Sequence, residues 1–297
     1  MERMWLSYAL FMVLGWSCAV VLDSVLVKHY IKNPFILMWT QSCFSILFLA
    51  TAYPFVSLES SWILIFALSA ILAYCGDLVF FLAIERMDAS IFNIAWAVIT
   101  IILSIVGFIF FGESWTLLQT IAVVCILLGV VFLSYVHHHI TLKAFGLLLA
   151  LAILYSPVNI AMKAALEDGE QILTILFWTL AIREGSAFLL PLCWPKLRRY
   201  ILSLPTKVDA VYVGVSGLVV AVYFTGEYFA AKAYAAGSMS LVSVVGNLQP
   251  FVVLFLAWVI WRLVPRYASR ELLDSQSVRV KLISFSVVFV GMVLLAV

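Results

Sequence analysis

Charge is what this sequence has least of. Only 11% of its 297 residues are Asp, Glu, Lys or Arg, against 66% hydrophobic, where soluble domains run about 25% charged and about half apolar. Such an excess cannot be folded into one water-soluble core, so the solvent of this chain is lipid. A basic excess is also missing: 17 Lys and Arg face 15 Asp and Glu. That balance provides no broad basic face for phosphates and excludes nucleic acid as a partner. The five cysteines, Cys18, Cys43, Cys75, Cys125 and Cys193, sit in apolar runs without CxxC spacing, so neither a disulfide framework nor a zinc site is expected. Phosphate loops, nucleophile elbows and paired-histidine helices are absent, which leaves no candidate for enzymatic chemistry and no cofactor requirement. The run His137-His138-His139 has no carboxylate or cysteine nearby, and successive residues point apart, so it reads as a solvated turn rather than a metal site.

What is present is apolar length. A spanning helix needs about 20 apolar residues, because about 30 Å of hydrocarbon is crossed at about 1.5 Å per residue. Ten runs qualify: Trp5 to Val27, Pro34 to Val56, Trp62 to Ile84, Ala89 to Phe111, Trp115 to Val136, Lys143 to Leu166, Gln171 to Trp194, Val208 to Ala231, Ser238 to Trp261 and Val280 to Val297. The run from Trp5 is too long, and too quickly followed by another, for a cleaved signal peptide, and counts as the first span. The fold class expected is an all-α, multi-pass integral membrane protein, in the cell inner membrane if the source is bacterial. Two longer connections, Pro195 to Lys207 and Arg262 to Arg279, mix cations with Tyr and Leu, as short helices on a headgroup surface do.

The spans echo one another. Gly15-Trp16-Ser17 lies over Leu154-Tyr155-Ser156, and at the same offset of 139 residues Met38-Trp39-Thr40 lies over Phe177-Trp178-Thr179. An offset of 150 superposes Gly76-Asp77 on Gly226-Glu227, and Asn93, Trp96 and Thr100 on Ser243, Gly246 and Pro250. Gly129 to Leu133 resembles Gly291 to Leu295. Residues 1–136 and 143–297 are therefore expected to be two five-helix repeats joined by a linker, 137–142. An odd helix count inverts the second repeat relative to the first, placing a shared cavity near the bilayer midplane.

This arrangement, the Gly112-Glu113 pair closing span 4 and the Gly129-Val130-Val131 turn in span 5 resemble the drug/metabolite transporter superfamily, in particular its ten-helix EamA branch. The resemblance covers nearly the whole chain. Thr100 stands in span 4 where the family commonly has a proline, although Pro250 fills the matching place in span 9, and Trp261-Arg262 replaces the second Gly-Glu pair. The resemblance implies transport. Members of the family carry amino acids, nucleotide-linked or phosphorylated metabolites, amines and drugs.

An ionisable residue at a helix centre costs about 2.5 to 3.5 kcal/mol on insertion scales, so each needs a partner, water or a function. Asp77 and Glu227 hold equivalent places in spans 3 and 8, span 7 carries Arg183 and Glu184, and span 6 carries Lys163. Arg183 and Glu184 point about 100° apart and are expected to pair across the bundle, Arg183 with Asp77 or Glu227. Asp23 and Lys232 lie near span ends, where they are expected to snorkel rather than serve as ligands. Tyr155, Asn159 and Lys163 share one helix face, as do Tyr223 and Glu227, and Asn93 and Trp96. Trp16, Trp39, Tyr74 and Trp178 put polar-tipped rings at mid-helix, away from the interfaces where such rings usually anchor. Together these residues predict a pocket for a small molecule: Asp77 and Glu227 for an amine or coupling protons, Arg183 and Lys163 for anionic groups, Glu184 beside them, the rings as walls.

The expected function is secondary transport of a small polar or zwitterionic metabolite, amino acids or related amines preferred, by alternating access. Proton linkage is part of that expectation, since a carboxyl group in a low-dielectric cavity holds its proton more tightly unless paired. The alternatives are a flippase for a lipid-linked substrate and a non-transporting membrane assembly or sensor protein. Thirteen loop cations lie on one face and two on the face of the termini, which puts the termini outside the cytoplasm; the family resemblance implies the reverse. Oligomeric state, and import versus export, are left open by the sequence.

Overall fold

The computed structural model describes residues 4–31, 33–84, 89–135, 142–204, 208–264 and 275–296. Among them the chain is helical, without a strand: α1 (Met4–His29), α2 (Pro34–Ala52), α3 (Ile63–Ile84), α4 (Ala89–Phe110), α5 (Leu117–Tyr135), α6 (Leu142–Glu167), α7 (Ile172–Cys193), α8 (Pro195–Leu202), α9 (Ala210–Ala236), α10 (Met239–Gly246), α11 (Gln249–Leu263) and α12 (Ser275–Ala296). Each apolar run of the sequence contains a helix. Seven stretches among the described residues are long and apolar enough to cross a membrane, one of them, Met239–Ile260, running through both α10 and α11. Shorter apolar stretches, Trp96–Phe110, Leu117–Gly129 and Ile283–Leu295, lie in α4, α5 and α12.

Large apolar side chains point outward. Leu64, Leu68, Ile105, Ile109, Leu117 and Leu128 are all more than half exposed, a surface that only lipid tolerates. Buried helix faces instead carry hydroxyls returned to the backbone one turn earlier, as in Thr40 to the Ile36 carbonyl at 3.0 Å and Ser156 to that of Ala152 at 2.7 Å. An intrahelical bond of this kind satisfies a hydroxyl without asking for water. The helix in the connection after α7 appears as α8, with Lys196, Arg198 and Arg199 exposed. Most of the second connection, and the His137 to His139 turn, lie outside the described residues.

Local chemistry fixes the helix ends. Asn33 caps α2 by accepting from Phe35 N at 3.0 Å, with Pro34 preorganised behind it, and Asp209 caps α9 by accepting from Tyr212 N at 2.8 Å. Gly112, at φ +60°, turns the chain out of α4 in a conformation that L side chains rarely adopt. That turn aims the following Glu113 at the start of α10, where it accepts from Ser238 Oγ at 2.8 Å, from Ser240 N at 3.0 Å and from Met239 N. A carboxylate on the free N–H groups of a helix start is favourable in both hydrogen bonding and dipole. Gly107 leaves room for it, since a Cβ there would collide with the Glu113 carboxylate. Span 9 is broken at Asn247-Leu248 because Pro250 cannot donate back to Gly246.

The main neighbours are α1 with α9, α3 with α6, α2 with α7, α4 with α10, and α5 with α12. Three of these contacts echo one another in detail. In α1 and α9, Gly15 and Gly226 meet backbone to backbone, and Trp16 lies on Gly226; in α6 and α3, Tyr155 lies on Gly76 in the same way. In α5 and α12, a Cβ on Gly129 would stand 3.0 Å from the Ser284 carbonyl, and one on Gly291 would stand 2.8 Å from that of Ala122. Small residues at crossings let helices approach where lipid supplies no hydrophobic drive.

Buried apolar residues form two clusters. One, with Met12, Phe66, Leu180, Tyr234 and Val242, lies towards the end of the bundle that carries Glu59, Glu113, Asp168 and Glu170. The other, with Leu26, Ile36, Leu151 and Tyr212, lies towards the end that carries Lys28, Lys196 and Arg198. Tyr155 and Tyr223 touch both.

Candidate functional site

Between the two clusters lies a cavity of about 160 Å³, lined from α1, α2, α3, α4, α6, α7, α9 and the first residue of α11. Among the described residues, none of α5 or α12 lines it. At its heart the Arg183 guanidinium grips Asp77 with two prongs, Nε donating to Oδ2 at 2.6 Å and Nη2 to Oδ1. Its remaining Nη1 donates to the Tyr223 hydroxyl. Two tyrosine rings cover the cation, with Cζ 5.9 Å from the centroid of Tyr155 and 5.2 Å from that of Tyr223. Desolvated contacts of this kind add to the ion pair. Tyr155 Oη also donates to Asp77 Oδ1 at 2.6 Å, and its ring stacks on Trp96 at 6.0 Å and 28°. The bidentate fork and the hydroxyl satisfy a carboxylate that is largely withdrawn from solvent.

Glu227 is held differently. Trp16 Nε1 donates to its Oε1 at 3.1 Å, and Tyr223, one turn earlier on the same helix, is its other hydrogen-bond partner. Both donors are neutral. The two carboxyl groups that share a register in the sequence thus differ in their direct partners: Arg183 is hydrogen-bonded to Asp77, whereas the described donors to Glu227 are neutral.

Further along the cavity Asp23 accepts from Gln41 Nε2 at 2.6 Å, and Glu184 accepts from Ser42 Oγ at 2.9 Å. Asp23 is only 7% exposed and lines the cavity, which corrects the expectation that it snorkels. Helix α1 continues to His29, and Gln41 draws the carboxyl inward from a neighbouring helix. Lys232 rests between the Tyr8 and Tyr228 rings, at 5.5 and 5.2 Å, away from the cavity.

Of the residues singled out from the sequence, Trp16, Asp77, Trp96, Tyr155 and Asn159 line the cavity, as do Arg183, Glu184, Tyr223 and Glu227. Others are turned elsewhere. Lys163 donates to the carbonyls of Tyr234 and Gly237, at 3.0 and 3.1 Å, and pairs with Glu167 at 3.2 Å, so it closes the end of α9 instead of meeting a ligand. Trp178 donates to the Ser57 carbonyl at 3.3 Å near the acidic end. Trp39 stacks on Phe188 at 5.6 Å, and Tyr74 is packed into the basic-end cluster. Asn93 stands in α4, and its side chain lies outside those described. Sequence reasoning missed Asp23, Gln41, Ser45 and Gln249 among the lining residues. Asp23 did carry a signal, being two helical turns beyond Trp16 and so on the same face.

A multi-pass helical bundle with a charged cavity between its helices is the architecture of a membrane transporter. The EamA-like transporter family matches residues 3–135. An uncharacterized membrane protein of Bacillus subtilis (strain 168), YvaE, is 33% identical over 103 residues, covering 34% of this chain and 87% of that one. A solved crystal structure superposes with a TM-score of 0.70 over 99% of this chain and 96% of the other, at 12% identity, a likeness of fold alone. The chain belongs to the EamA-like transporter family, within the drug/metabolite transporter superfamily.

Proposed function

We propose that the protein is a secondary transporter that moves a small polar organic solute by alternating access, with residues 1–136 and 143–297 as inverted five-helix halves in a ten-span bundle. The observation that carries this reading is the charged cavity between two apolar clusters. Each cluster acts as a gate, and rocking the halves loosens one while the other stays packed. The reciprocal glycine contacts support two equivalent halves. At about 160 Å³ the cavity suits a solute of few heavy atoms, an apolar cavity of about 150 Å³ being enough for benzene.

In this mechanism Glu227 takes a coupling proton, and the Asp77–Arg183 pair sets the frame around it. The basic end faces the cytoplasm and the termini lie outside, following the bias of loop cations. Purified protein in liposomes should drive uptake of labelled small amines or amino acids, at a rate that responds to an imposed pH gradient. Glu227→Gln should lower the initial rate at least tenfold while keeping the native unfolding temperature, because the amide still accepts from Trp16. Flux unchanged by that substitution would sink the assignment of Glu227, and equal rates with and without the gradient would remove proton coupling.

A further inference from the structure

The balance of charge around the cavity goes further than the transporter reading on which it rests. Four carboxyl groups line it, Asp23, Asp77, Glu184 and Glu227, against a single guanidinium among the described residues, Arg183. That guanidinium is spent: Asp77 holds two of its nitrogens, Tyr223 the third, and tyrosine rings cover it. It is poorly placed to receive the carboxylate of an amino acid.

Asp23 and Glu184 line the same cavity. Their hydrogen-bond partners, Gln41 and Ser42, are consecutive residues of α2, so a single turn of that helix holds both carboxyls, with Ser45 one turn further on the same wall. The donors to this pair, Gln41 and Ser42, are neutral. The surrounding wall is apolar or aromatic, with Ala19, Val20, Met38, Phe80, Phe81 and Val219. A bare metal ion needs a shell of oxygens, whereas an organic cation needs a few acceptors for its N–H groups and apolar surface for its carbon skeleton.

We infer that the turn Gln41 to Ser45 of α2, with Asp23 and Glu184, forms the subsite for the cationic nitrogen of the solute, and that the solute class is an organic ammonium instead of a zwitterion or an anion. Asp23, Gln41 and Ser45 become specificity residues, and the apolar wall receives the alkyl or aryl portion.

The test is binding to the purified full chain in detergent, read by thermal unfolding, with n-butylammonium, butyrate and butanol as matched probes and sodium and potassium chloride as ionic controls. Butylammonium should raise the unfolding temperature, and butyrate and butanol should not. Asp23→Asn and Glu184→Gln should each weaken the apparent affinity at least tenfold. Both amides keep an acceptor for Gln41 or Ser42, and an unliganded unfolding temperature near that of the parent shows that the fold is intact. Should one variant unfold, the other carries the test, with Ser45→Ala as a milder third expected to weaken affinity severalfold. Equal stabilisation by butyrate, stabilisation by sodium or potassium without preference for the amine, no response to butylammonium, or full affinity in the variants would each overturn the inference. Binding without flux in liposomes would instead defeat the transporter reading and leave the subsite standing.

Discussion

Asp77 and Glu227, carboxyl groups at one register, are given different surroundings by their partners. Asp77 is paired with Arg183, so removing the arginine should strand it. Breaking a buried pair from one side costs about 3 to 5 kcal/mol, while replacing both sides is far milder. Arg183→Met alone should therefore lower the unfolding midpoint sharply, and Asp77→Asn in the same chain should restore much of it. A double-mutant cycle by chemical unfolding measures the coupling, and strictly additive effects would mean that the two side chains do not act as a unit. The candidacy of Asp77, Arg183 and Glu227 was legible because ionisable residues are costly in an apolar run. Asp23 was misjudged because its distance from the end of a run says nothing about Gln41 on another helix. The partners of Lys163 were not legible for the complementary reason: they are backbone carbonyls freed where α9 ends before Gly237, and backbone acceptors leave no mark in side-chain identity.

At the scale of helices, close crossings carry much of the information. Gly129 and Gly291 each present bare backbone to the opposite helix, with neighbouring carbonyls at 3.0 and 2.8 Å from an added Cβ. Gly129→Ala and Gly291→Ala should each destabilise the protein by about 1 to 3 kcal/mol, the usual range for overpacking. Their combination should cost less than the sum, because either substitution already separates α5 from α12. Gly146→Ala is the control: nothing lies within 4 Å of its added Cβ, and alanine is the better helix former. Thermal unfolding of the four variants checks this, and a loss at Gly146 equal to the others would refute the crossing argument. Apolar length made the existence of the helices readable, and α8 was readable from basic residues mixed with Tyr and Ile. The division of span 9 was harder. Pro250 was visible, but a proline inside an apolar run either kinks a helix or ends one: Pro157 lies within a continuous α6, while α10 stops at Gly246. The difference rests on Asn247, whose amide donates to Thr100 Oγ1 at 2.7 Å in α4, and that partnership exists only after folding.

For the molecule as a whole, the question is what holds the cavity shut. At the acidic end the loop between α2 and α3 is tied to the loop between α6 and α7: Ser60 Oγ donates to Glu170 at 2.6 Å, Trp62 Nε1 to Asp168 at 2.8 Å and Ser57 N to Thr174 Oγ1 at 3.3 Å. At the basic end Tyr212 donates to Thr40 at 3.0 Å and packs against Tyr30 at 5.6 Å. The acidic-end latch consists of polar contacts near solvent, which water can replace at little net cost; the basic-end latch is buried with its apolar cluster. Opening should therefore begin at the acidic end. With Ser60→Cys and Glu170→Cys in a chain whose five native cysteines are replaced, a short reducible thiol cross-linker should abolish flux in liposomes, and reductant should restore it. A cross-linked protein that still transports at the parental rate would show that this latch never opens. The same Ser60→Cys chain, labelled in intact cells with a membrane-impermeant maleimide, decides which way the molecule faces. Labelling from outside is the result expected if the basic end lies in the cytoplasm. Protection that is lost only after permeabilisation would turn the molecule over and place the first gate on the cytoplasmic side, with the order of opening unchanged.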